Sequence, residues 1–355
     1  MNADPHIGFA LQLVQSDVIA RYQRLLGKDV FFSTGTDEYG QKILEAAQKS
    51  RVEVQKYVDQ FSFKFKELAK ELNISNDNFV RTTSEHHKMA AQEIWKRCDK
   101  AEDIYKKLYK GSYCVGCEMY KTEKDLDANG KCLLHPNLEI KILEENNYFF
   151  RFSKYREKLL EYLKKDAILP LWRKEEAINF VKQGLEDFSI SREKERLSWG
   201  VPVPGDEDQI MYVWFDALIN YISTLGWPED KEGKFKNFWE NGETVQTAGK
   251  DQVRFQSLMW QAMLMSAGLK NTGKVVYHGF ITSGDQKMSK SLGNVINPND
   301  LIKEYGTDAL RYFLLREISS FEDSPFTMER FKEAYNANLA NGLGNLVSRV
   351  MTMAV

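Results

Sequence analysis

The segment KMSKS, Lys287 to Ser291, has two lysines three positions apart, with serine hydroxyls between and after them. Lysine is a flexible point charge that suits phosphate, and the hydroxyls can add hydrogen bonds. Gly284 and Gly293 flank the segment and favour a loop that can move. We interpret it as a polyanion clamp; a solvated basic loop is the alternative, because short motifs often match by chance. The clamp side chains would be Lys287, Ser289 and Lys290.

A second candidate is PHIGF, Pro5 to Phe9, directly before a long amphipathic run. Asp4 can cap a helix there, and Pro5 suits its first position. A helix start gathers backbone N–H groups and partial positive charge, so it attracts phosphate. His6 can add a side-chain donor, and Gly8 has no Cβ that would keep a nucleotide from the backbone. A capped surface helix with an incidental histidine is the alternative for this segment alone.

Two short pairs, Cys114-x-x-Cys117 and Cys132-x-x-His135, have the spacing of a structural zinc site. Each pair fits on a turn, which brings two ligands to one ion. Four protein ligands would leave no open position, so the zinc would be structural and not catalytic. Three unrelated thiols and a surface histidine are the alternative. The remaining cysteine, Cys98, falls in a helical pattern and is predicted to be buried.

The elements that must position these groups alternate between helix and strand, which predicts an α/β fold. Residues 51–110 are predicted to be helical, and His86 and His87 within them receive no role. The predicted strands are Val30 to Thr36, the start of 148–163, and Lys274 to Ile281. The predicted helices include the rest of 148–163, Met211 to Ile222, and Phe255 to Leu269.

Length and composition narrow the class of protein. The 355 residues are 43% hydrophobic and 28% charged, which is typical of a globular protein with an ample core. A formal net charge of −2 excludes a strongly basic nucleic-acid binder, so such contacts must come from local patches. No apolar stretch is long enough to cross a bilayer and no secretory signal is visible, so we expect a cytoplasmic protein without membrane contact.

The combination of PHIGF and KMSKS resembles the paired HIGH-type and KMSKS motifs of class I aminoacyl-tRNA synthetases, which related nucleotidylyltransferases share. The resemblance implies a Rossmann-like parallel sheet split by inserted domains, with ATP, accompanied by Mg, between the two motifs. An amino-acid carboxylate would attack the α-phosphorus and release pyrophosphate. This chemistry needs positioning and positive charge, which His6, Lys287 and Lys290 would supply.

Runs along the whole chain resemble methionyl-tRNA synthetases in particular. They imply activation of methionine to methionyl-adenylate and its transfer to tRNA(Met), with the zinc knuckle in an inserted domain. The runs are Ser33 to Ile43, Tyr113 to Cys117, Asp187 to Arg192, Leu197 to Pro204, Met211 to Ile222, Ala248 to Phe255, and His278 to Asn294. The implied units are 1–105, the first half of the catalytic domain; 106–195, the inserted domain; 196–318, the second half; and 319–355, the start of a helical anticodon-binding bundle.

The resemblance assigns the amino-acid site by position. Asp37 would hold the substrate ammonium, because a carboxylate at the exit of a sheet strand is well placed for it. An aromatic wall spaced along one helix face would suit a thioether; ordinary core packing is the alternative interpretation of that spacing. The wall would comprise Trp214, Leu218 and Tyr221, with Gln252 and Gln256 in the same site.

The nucleotide site is assigned in the same way. Arg192 and Asp251 would form a structural ion pair near the active site as a whole. His278 and Gly279 would border the adenosine. The full set of nucleotide-binding residues would be His6, Gly8, Phe9, Lys250, His278, Gly279, Lys287, Ser289 and Lys290.

Several positions depart from the family pattern. Phe9 replaces the second histidine of the HIGH-type motif, Tyr39 replaces a usual histidine, and Gln261 replaces a usual proline. Gln252 and Gln256 stand where an aliphatic residue and a pocket histidine are expected. The alternatives are a degenerate synthetase-like protein that binds ATP or an amino acid without efficient catalysis, or one with altered amino-acid specificity. A small-molecule nucleotidylyltransferase is disfavoured by the zinc knuckle.

Both ends of the chain also differ from the family. There, a central strand precedes the PHIGF helix, and a complete bundle follows the run from Tyr335 to Arg349. Here Met1 takes the place of the last residues of that strand, and the sequence stops at Val355. The resemblance therefore implies a chain truncated at both ends, and the oligomeric state is left open.

Overall fold

The computed structural model describes residues 4–117, 119–121, 123–283, 286–287 and 295–354. The helices are α1 Ile7–Leu25, α2 Gln41–Lys49, α3 Val54–Glu71, α4 Glu85–Lys100, α5 Arg156–Lys164, α6 Leu171–Lys182, α7 Val213–Ala217, α8 Asn220–Ser223, α9 Trp260–Ser266, α10 Pro298–Tyr305, α11 Thr307–Arg316, α12 Met328–Ala334 and α13 Asn345–Ala354. The strands are β1 Ser33–Thr36, β2 Asn78–Arg81, β3 Ile104–Cys114, β4 Met119–Lys121, β5 Ile140–Phe150, β6 Ile168–Leu169, β7 Phe188–Ser189, β8 Ser191–Glu193, β9 Pro202–Val203, β10 Asp206–Met211, β11 Val245–Gly249, β12 Lys274–His278, β13 Ile281–Ser283, β14 Gln286–Lys287 and β15 Ser324–Phe326.

Two groups of parallel strands form the Rossmann-like part of the chain. β1 pairs with β2, and β11, β12 and β6 pair in that order. α2 and α3 connect β1 to β2, and α9 leads from β11 to β12, because parallel neighbours need a crossover connection. The predicted α/β class is therefore confirmed, although the strand expected over 30–36 begins only at Ser33.

An antiparallel sheet of order β4-β3-β5-β7 carries the first cysteine pair. β3 and β5 pair along their whole length, from Ile104↔Phe150 to Cys114↔Ile140. β8, β10 and β9 form a further three-stranded sheet. β6 lies within the predicted insertion, 106–195, yet it pairs with β12 of the parallel group. The domain limits stay a prediction.

The stretch predicted as one helix from Met211 to Ile222 is divided. Met211 ends β10, and Tyr212 keeps an extended backbone while its N–H donates to the Ile190 carbonyl at 2.8 Å. Strand pairing therefore overrides helical spacing at this end, and the short helices α7 and α8 follow. The helix expected from Phe255 is also irregular, since a π-helical stretch, Phe255–Met259, runs into α9.

A buried apolar cluster joins α1 to the last third of the described chain. Ile7 is buried in the same cluster as Phe313 of α11. Asp17 is fully buried and accepts hydrogen bonds from Arg311 Nη2 at 2.6 Å and from the Ser75 N–H at 2.7 Å. These contacts hold α1 against α11 and against the loop before β2.

The described chain ends in a helical run. α12 is followed by a π-helical stretch, Tyr335–Gly344, and then by α13, and residues 340–354 are exposed. None of the described helices combines the length and the apolar content that crossing a bilayer would require.

Candidate active site

A cavity of about 1400 Å³ lies between α1, β1, the α7–α8 segment and β11. It exceeds the roughly 300–1,000 Å³ of a typical ligand pocket, so a nucleotide and an amino acid can lie side by side in it. Many of the predicted site residues line it: His6, Gly8, Phe9, Asp37, Trp214, Leu218, Tyr221, Asp251, Gln252, Gln256, His278 and Gly279.

The start of α1 corrects the sequence prediction. The helix begins at Ile7, and its N-cap is His6 instead of Asp4. His6 Nδ1 accepts a hydrogen bond from the Gly8 N–H at 3.1 Å, and the Phe9 N–H donates to the His6 carbonyl. These first-turn N–H groups therefore already donate to acceptors in the protein. Because Nδ1 accepts this bond, the neutral imidazole carries its proton on Nε2, which is the ring nitrogen that can donate.

The start of α1 also contacts the chain that follows KMSKS. The Ile7 N–H donates to the Ile296 carbonyl at 3.1 Å. At the other end of KMSKS, the backbone of its first residue, Lys287, belongs to β14, which pairs with β13. The chain on both sides of the clamp is therefore anchored. Ser289 and Lys290 lie outside the described residues, so the phosphate contacts of the segment stay predictions.

Phe9 gives this turn apolar character. Its ring lines the cavity and packs edge-on against Phe65, with centroids 4.6 Å apart. A phenyl ring cannot donate to phosphate, so the turn has one side-chain donor at His6 and none at this position. A Cβ on Gly8 would lie 2.9 Å from His6 Cε1, so the glycine allows the histidine ring to fold over the helix start.

Asp37 follows β1 and lines the cavity. Its neighbour Glu38 is fully buried and accepts two hydrogen bonds from Arg81, at 2.7 and 2.9 Å. The Glu38 carbonyl accepts another from Trp199 Nε1 at 2.7 Å. These contacts fix the backbone that carries Asp37. Sequence analysis missed both residues: Glu38 lies in the run Ser33 to Ile43 but received no role, and Arg81 lies outside every run that resembles the family.

The predicted aromatic wall is built from two short helices where one was expected. Trp214 and Leu218 come from α7 and its C-cap, and Tyr221 comes from α8, yet all three line the cavity. Trp214 stacks on Phe255 with ring centroids 4.1 Å apart. The Tyr221 hydroxyl accepts a hydrogen bond from the π-helical stretch. The result is a polarisable surface suited to a thioether.

The three glutamines near this wall have different surroundings. Gln256 is 6% exposed; its Nε2 donates to the Tyr221 hydroxyl, while its Oε1 has no hydrogen-bond partner among the described residues. Gln252 donates to the neighbouring Asp251 carboxylate at 2.9 Å. Gln261 is fully buried and donates to the Gln256 carbonyl at 2.9 Å, so it stabilises the backbone of the π-helical stretch that carries Gln256.

His278 and Gly279 line the cavity at the end of β12. His278 Nδ1 donates to the Gly279 carbonyl at 2.8 Å, which leaves Nε2 as an acceptor. That Nε2 is buried without a partner among the described residues. Burial lowers the pKa of His278, so the ring is neutral at pH 7. A Cβ on Gly279 would lie 2.1 Å from the Glu322 carbonyl carbon, so only glycine fits there.

Two predicted site residues lie away from the cavity lining. Lys250 Nζ pairs with Asp323 Oδ2 at 2.7 Å and lies over the Phe280 ring, 4.9 Å from its centroid. A nucleotide contact by Lys250 would need this pair to open, and it stays a prediction. Arg192 is buried among three tyrosine rings. Asp251 lines the cavity, and an ion pair between Arg192 and Asp251 also stays a prediction.

The two predicted metal-ligand pairs come together in space. The ligand atoms of Cys114, Cys117, Cys132 and His135 all lie within 4.8 Å of one another. Cys117 Sγ is 3.6 Å from Cys132 Sγ and 3.3 Å from His135 Nδ1. Three sulfurs and an imidazole at these separations could hold one metal ion in a tetrahedral set.

A family model described as tRNA synthetases class I (M) matches residues 1–137 and 123–351 of the chain. The chain belongs to this family. The methionine–tRNA ligase of Thermotoga maritima is 44% identical to it over 99% of this chain and 56% of that protein. The methionine–tRNA ligase of Rhizobium meliloti is 43% identical over 100% of this chain and 69% of that protein. The chain thus spans between half and about two-thirds of these curated relatives.

Solved structures support the class I (M) assignment. The Mycobacterium tuberculosis methionyl-tRNA synthetase in complex with methionyl-adenylate superimposes with a TM-score of 0.94 at 40% identity, covering 99% of this chain and 69% of that one. The apo form of the M. tuberculosis synthetase gives a TM-score of 0.82 at 37% identity. The class I (M) fold of this chain is therefore more similar to the adenylate-bound structure than to the apo one.

Proposed function

We propose that the chain activates methionine with ATP, forming methionyl-adenylate, and transfers the methionyl group to tRNA(Met). The observation that carries the proposal is that one cavity is lined by the His6 turn, by Asp37 and by the aromatic wall. The TM-score of 0.94 to a synthetase bound to methionyl-adenylate supports it. A cytoplasmic location agrees with four free cysteines, three of them in a metal-type cluster.

Methionine would bind between Asp37 and the aromatic wall. The Asp37 carboxylate pairs with the substrate ammonium, and the Glu38–Arg81 contacts hold it in place. The thioether lies against the Trp214–Phe255 stack, where dispersion and sulfur–aromatic contacts favour it. This orientation leaves the substrate carboxylate pointing toward the nucleotide.

ATP would bind between the His6 turn and the end of β12. His6 Nε2–H donates to a phosphate oxygen, and the neutral His278 Nε2 accepts from a ribose hydroxyl. Gly279 leaves room for the adenosine. The clamp would contact the leaving phosphates, and Mg would accompany the triphosphate. The contacting side chains of the clamp would be Lys287, Ser289 and Lys290.

The reaction needs no covalent bond to the protein. A carboxylate oxygen of methionine bonds to the α-phosphorus, while the bond from that phosphorus to the bridging oxygen of the β-phosphate breaks. The electron pair leaves on pyrophosphate, where positive charge lowers the barrier. In the second step a terminal ribose hydroxyl of tRNA attacks the adenylate carbonyl and loses its proton, and AMP leaves.

The knuckle would hold zinc. Its donor set of three sulfurs and one imidazole nitrogen fits zinc better than a hard cation. Bound zinc supplies a structural crosslink between the two turns. A Cβ on Gly116 would lie 2.5 Å from His135 Cγ, so the first turn is already packed tightly onto the last ligand.

The test is methionine-dependent exchange of pyrophosphate into ATP by this chain. We expect exchange with methionine to exceed that with every other amino acid. Asp37→Asn keeps the shape of the side chain and removes its charge, so it should abolish most exchange. Clear exchange with another amino acid, and none with methionine, would reject the proposal.

Binding without efficient catalysis is the second candidate. Two observations favour it. The ring of Phe9 stands where the family has a donor at the phosphate turn. Gln256 lines the cavity, and its Oε1 has no hydrogen-bond partner among the described residues, which does not suit an apolar ligand. This candidate would be supported if calorimetry detects binding of ATP or methionine and rapid-quench assays find no adenylate. Adenylate formation within seconds would eliminate it.

A further inference from the structure

His87 lies outside every predicted binding segment, yet both of its ring nitrogens have partners in the interior. Nε2 is 2.8 Å from Asp216 Oδ1, and Nδ1 is 2.9 Å from Ser223 Oγ. His87 and Asp216 are fully buried, and Ser223 is 4% exposed. The imidazole therefore bridges two side chains at a place from which water is excluded.

The two partners belong to the short helices that carry the aromatic wall. Asp216 lies in α7 between Trp214 and Leu218, and Ser223 ends α8 two residues after Tyr221. The wall residues line the cavity, whereas the two partners contact α4. Helices this short do not hold themselves together, so tertiary contacts must decide where they lie.

We propose that His87 is a positioning residue for the amino-acid pocket: it holds α7 and α8 in one arrangement against α4. The inference rests on the proposed function, since the pocket is the one assigned there to methionine. His87 is itself well anchored, because its N–H donates to the Ser84 Oγ that caps α4, and its helix is buried along Ala90 and Ile94.

The contact is electrostatic as well as steric. Asp216 Oδ2 is buried without a hydrogen-bond partner among the described residues. The hydrogen bond between His87 and Oδ1 is therefore the main interaction that offsets the cost of burying this carboxyl group. Burial raises the pKa of Asp216, and the hydrogen bond from His87 opposes that rise. Removing the imidazole would leave a buried carboxyl group without its partner, and α7 would shift to reach another one.

Two conservative variants separate the two bonds. The amide of His87→Gln can reach the position of Nε2 and keep the bond to Asp216. The shorter amide of His87→Asn reaches only the position of Nδ1, beside Ser223. We expect His87→Asn to raise the KM for methionine roughly tenfold and to leave the KM for ATP unchanged. His87→Gln should have a KM for methionine close to that of the unaltered chain.

Cys98→Ala is the matched control, because Cys98 is fully buried in the same helix but contacts the Met263 carbonyl. It should lower stability without changing the KM for methionine. Backbone amide hydrogen exchange supplies a readout that needs no substrate. His87→Asn should accelerate exchange across 213–223, and neither His87→Gln nor Cys98→Ala should do so.

Equal rates of amide hydrogen exchange across 213–223 in His87→Asn and Cys98→Ala would overturn the proposal. So would an active His87→Asn chain whose KM for methionine is unchanged. These results differ from a failure of the proposed function. If the unaltered chain exchanges no pyrophosphate with methionine, the proposed function fails, and the amide exchange comparison still decides the role of His87.

Discussion

The backbone N–H of Ile7, the first residue of α1, donates a 3.1 Å hydrogen bond to the carbonyl oxygen of Ile296. Ile7 belongs to PHIGF, and Ile296 follows KMSKS. This bond joins two segments that are far apart in the sequence, next to His6 and Gly8, which line the cavity. If both segments bind one ligand, as proposed, this hydrogen bond limits how far apart they can move.

The missing donor at the His6 turn can be restored. Phe9→His would place a second imidazole at the cavity, and a donor to the transition state is worth about 10²-fold in rate. We expect faster methionine-dependent pyrophosphate exchange. Phe9→Leu is the control, because it also loses the edge contact with Phe65 but adds no donor. A Phe9→His rate no higher than that of Phe9→Leu would contradict a phosphate contact at this position.

Gln256 and Tyr221 should be energetically coupled. Gln256→Leu leaves the Tyr221 hydroxyl without its donor, and Tyr221→Phe leaves the Gln256 amide unpaired, so each should cost about 1–2 kcal/mol of unfolding free energy. The double variant removes both polar groups and should cost less than the sum of the two. Urea unfolding of the four proteins measures the coupling. Strictly additive losses would mean that the bond contributes nothing.

The Glu38–Arg81 pair should control methionine binding through Asp37. Arg81→Lys keeps the positive charge but cannot make the two-pronged contact with the buried carboxylate. We expect roughly tenfold weaker methionine binding by calorimetry and unchanged ATP binding. Arg97→Lys is the control, since Arg97 pairs with Glu93 at 3.0 Å within α4. If the affinities for methionine and ATP fell to the same degree, the substitution would act through general unfolding and not through a local effect on Asp37.

Thiol reactivity can test the metal cluster. The purified chain should contain one zinc ion, and its knuckle thiols should react slowly with a disulfide reagent at pH 8. A strong chelator should release the zinc and expose three reactive thiols. Burial raises the pKa of Cys98 to about 12, so this fourth thiol should stay unreactive until denaturant is added. Three thiols that react equally fast before and after chelation would argue against a metal site.

Asp17 should make stability depend on pH. Burial alone would raise the pKa of this carboxyl, but hydrogen bonds from Ser75, Arg21 and Arg311 outweigh it and lower the pKa below its ordinary value. A lowered folded-state pKa means that the stabilisation is present above about pH 4 and is lost as pH falls further. Asp17→Asn should therefore cost about 2–4 kcal/mol at pH 7 and progressively less toward pH 3.

Urea unfolding at several pH values measures this difference. Lys164→Gln is the control, because it removes an exposed ion pair with Glu161. The side chains of Lys164 and Glu161 are 70% and 67% exposed. Such pairs contribute at most about 1 kcal/mol. An Asp17→Asn variant as stable as the unaltered chain at pH 7 would show that the buried network contributes no net stability.

The sequence by itself determined the groups whose spacing is local. Cys114 and Cys117, and Cys132 and His135, each lie within one turn, so the ligand pairs could be predicted without knowing the fold. Alternation of helical and strand periods likewise predicted the α/β class. The PHIGF turn was likewise predicted from a short motif. The aromatic wall was assigned only through the family resemblance, because its helical spacing alone is equally typical of core packing.

The tertiary structure decided what depends on distant partners. The cap of α1 moved from Asp4 to His6 because the imidazole folds back onto Gly8. The helix expected from Met211 begins late because its first residues pair as a strand. Arg81 and His87 carry no signal in the sequence, since their partners are remote along the chain and only folding makes the buried carboxyls of Glu38 and Asp216 depend on them.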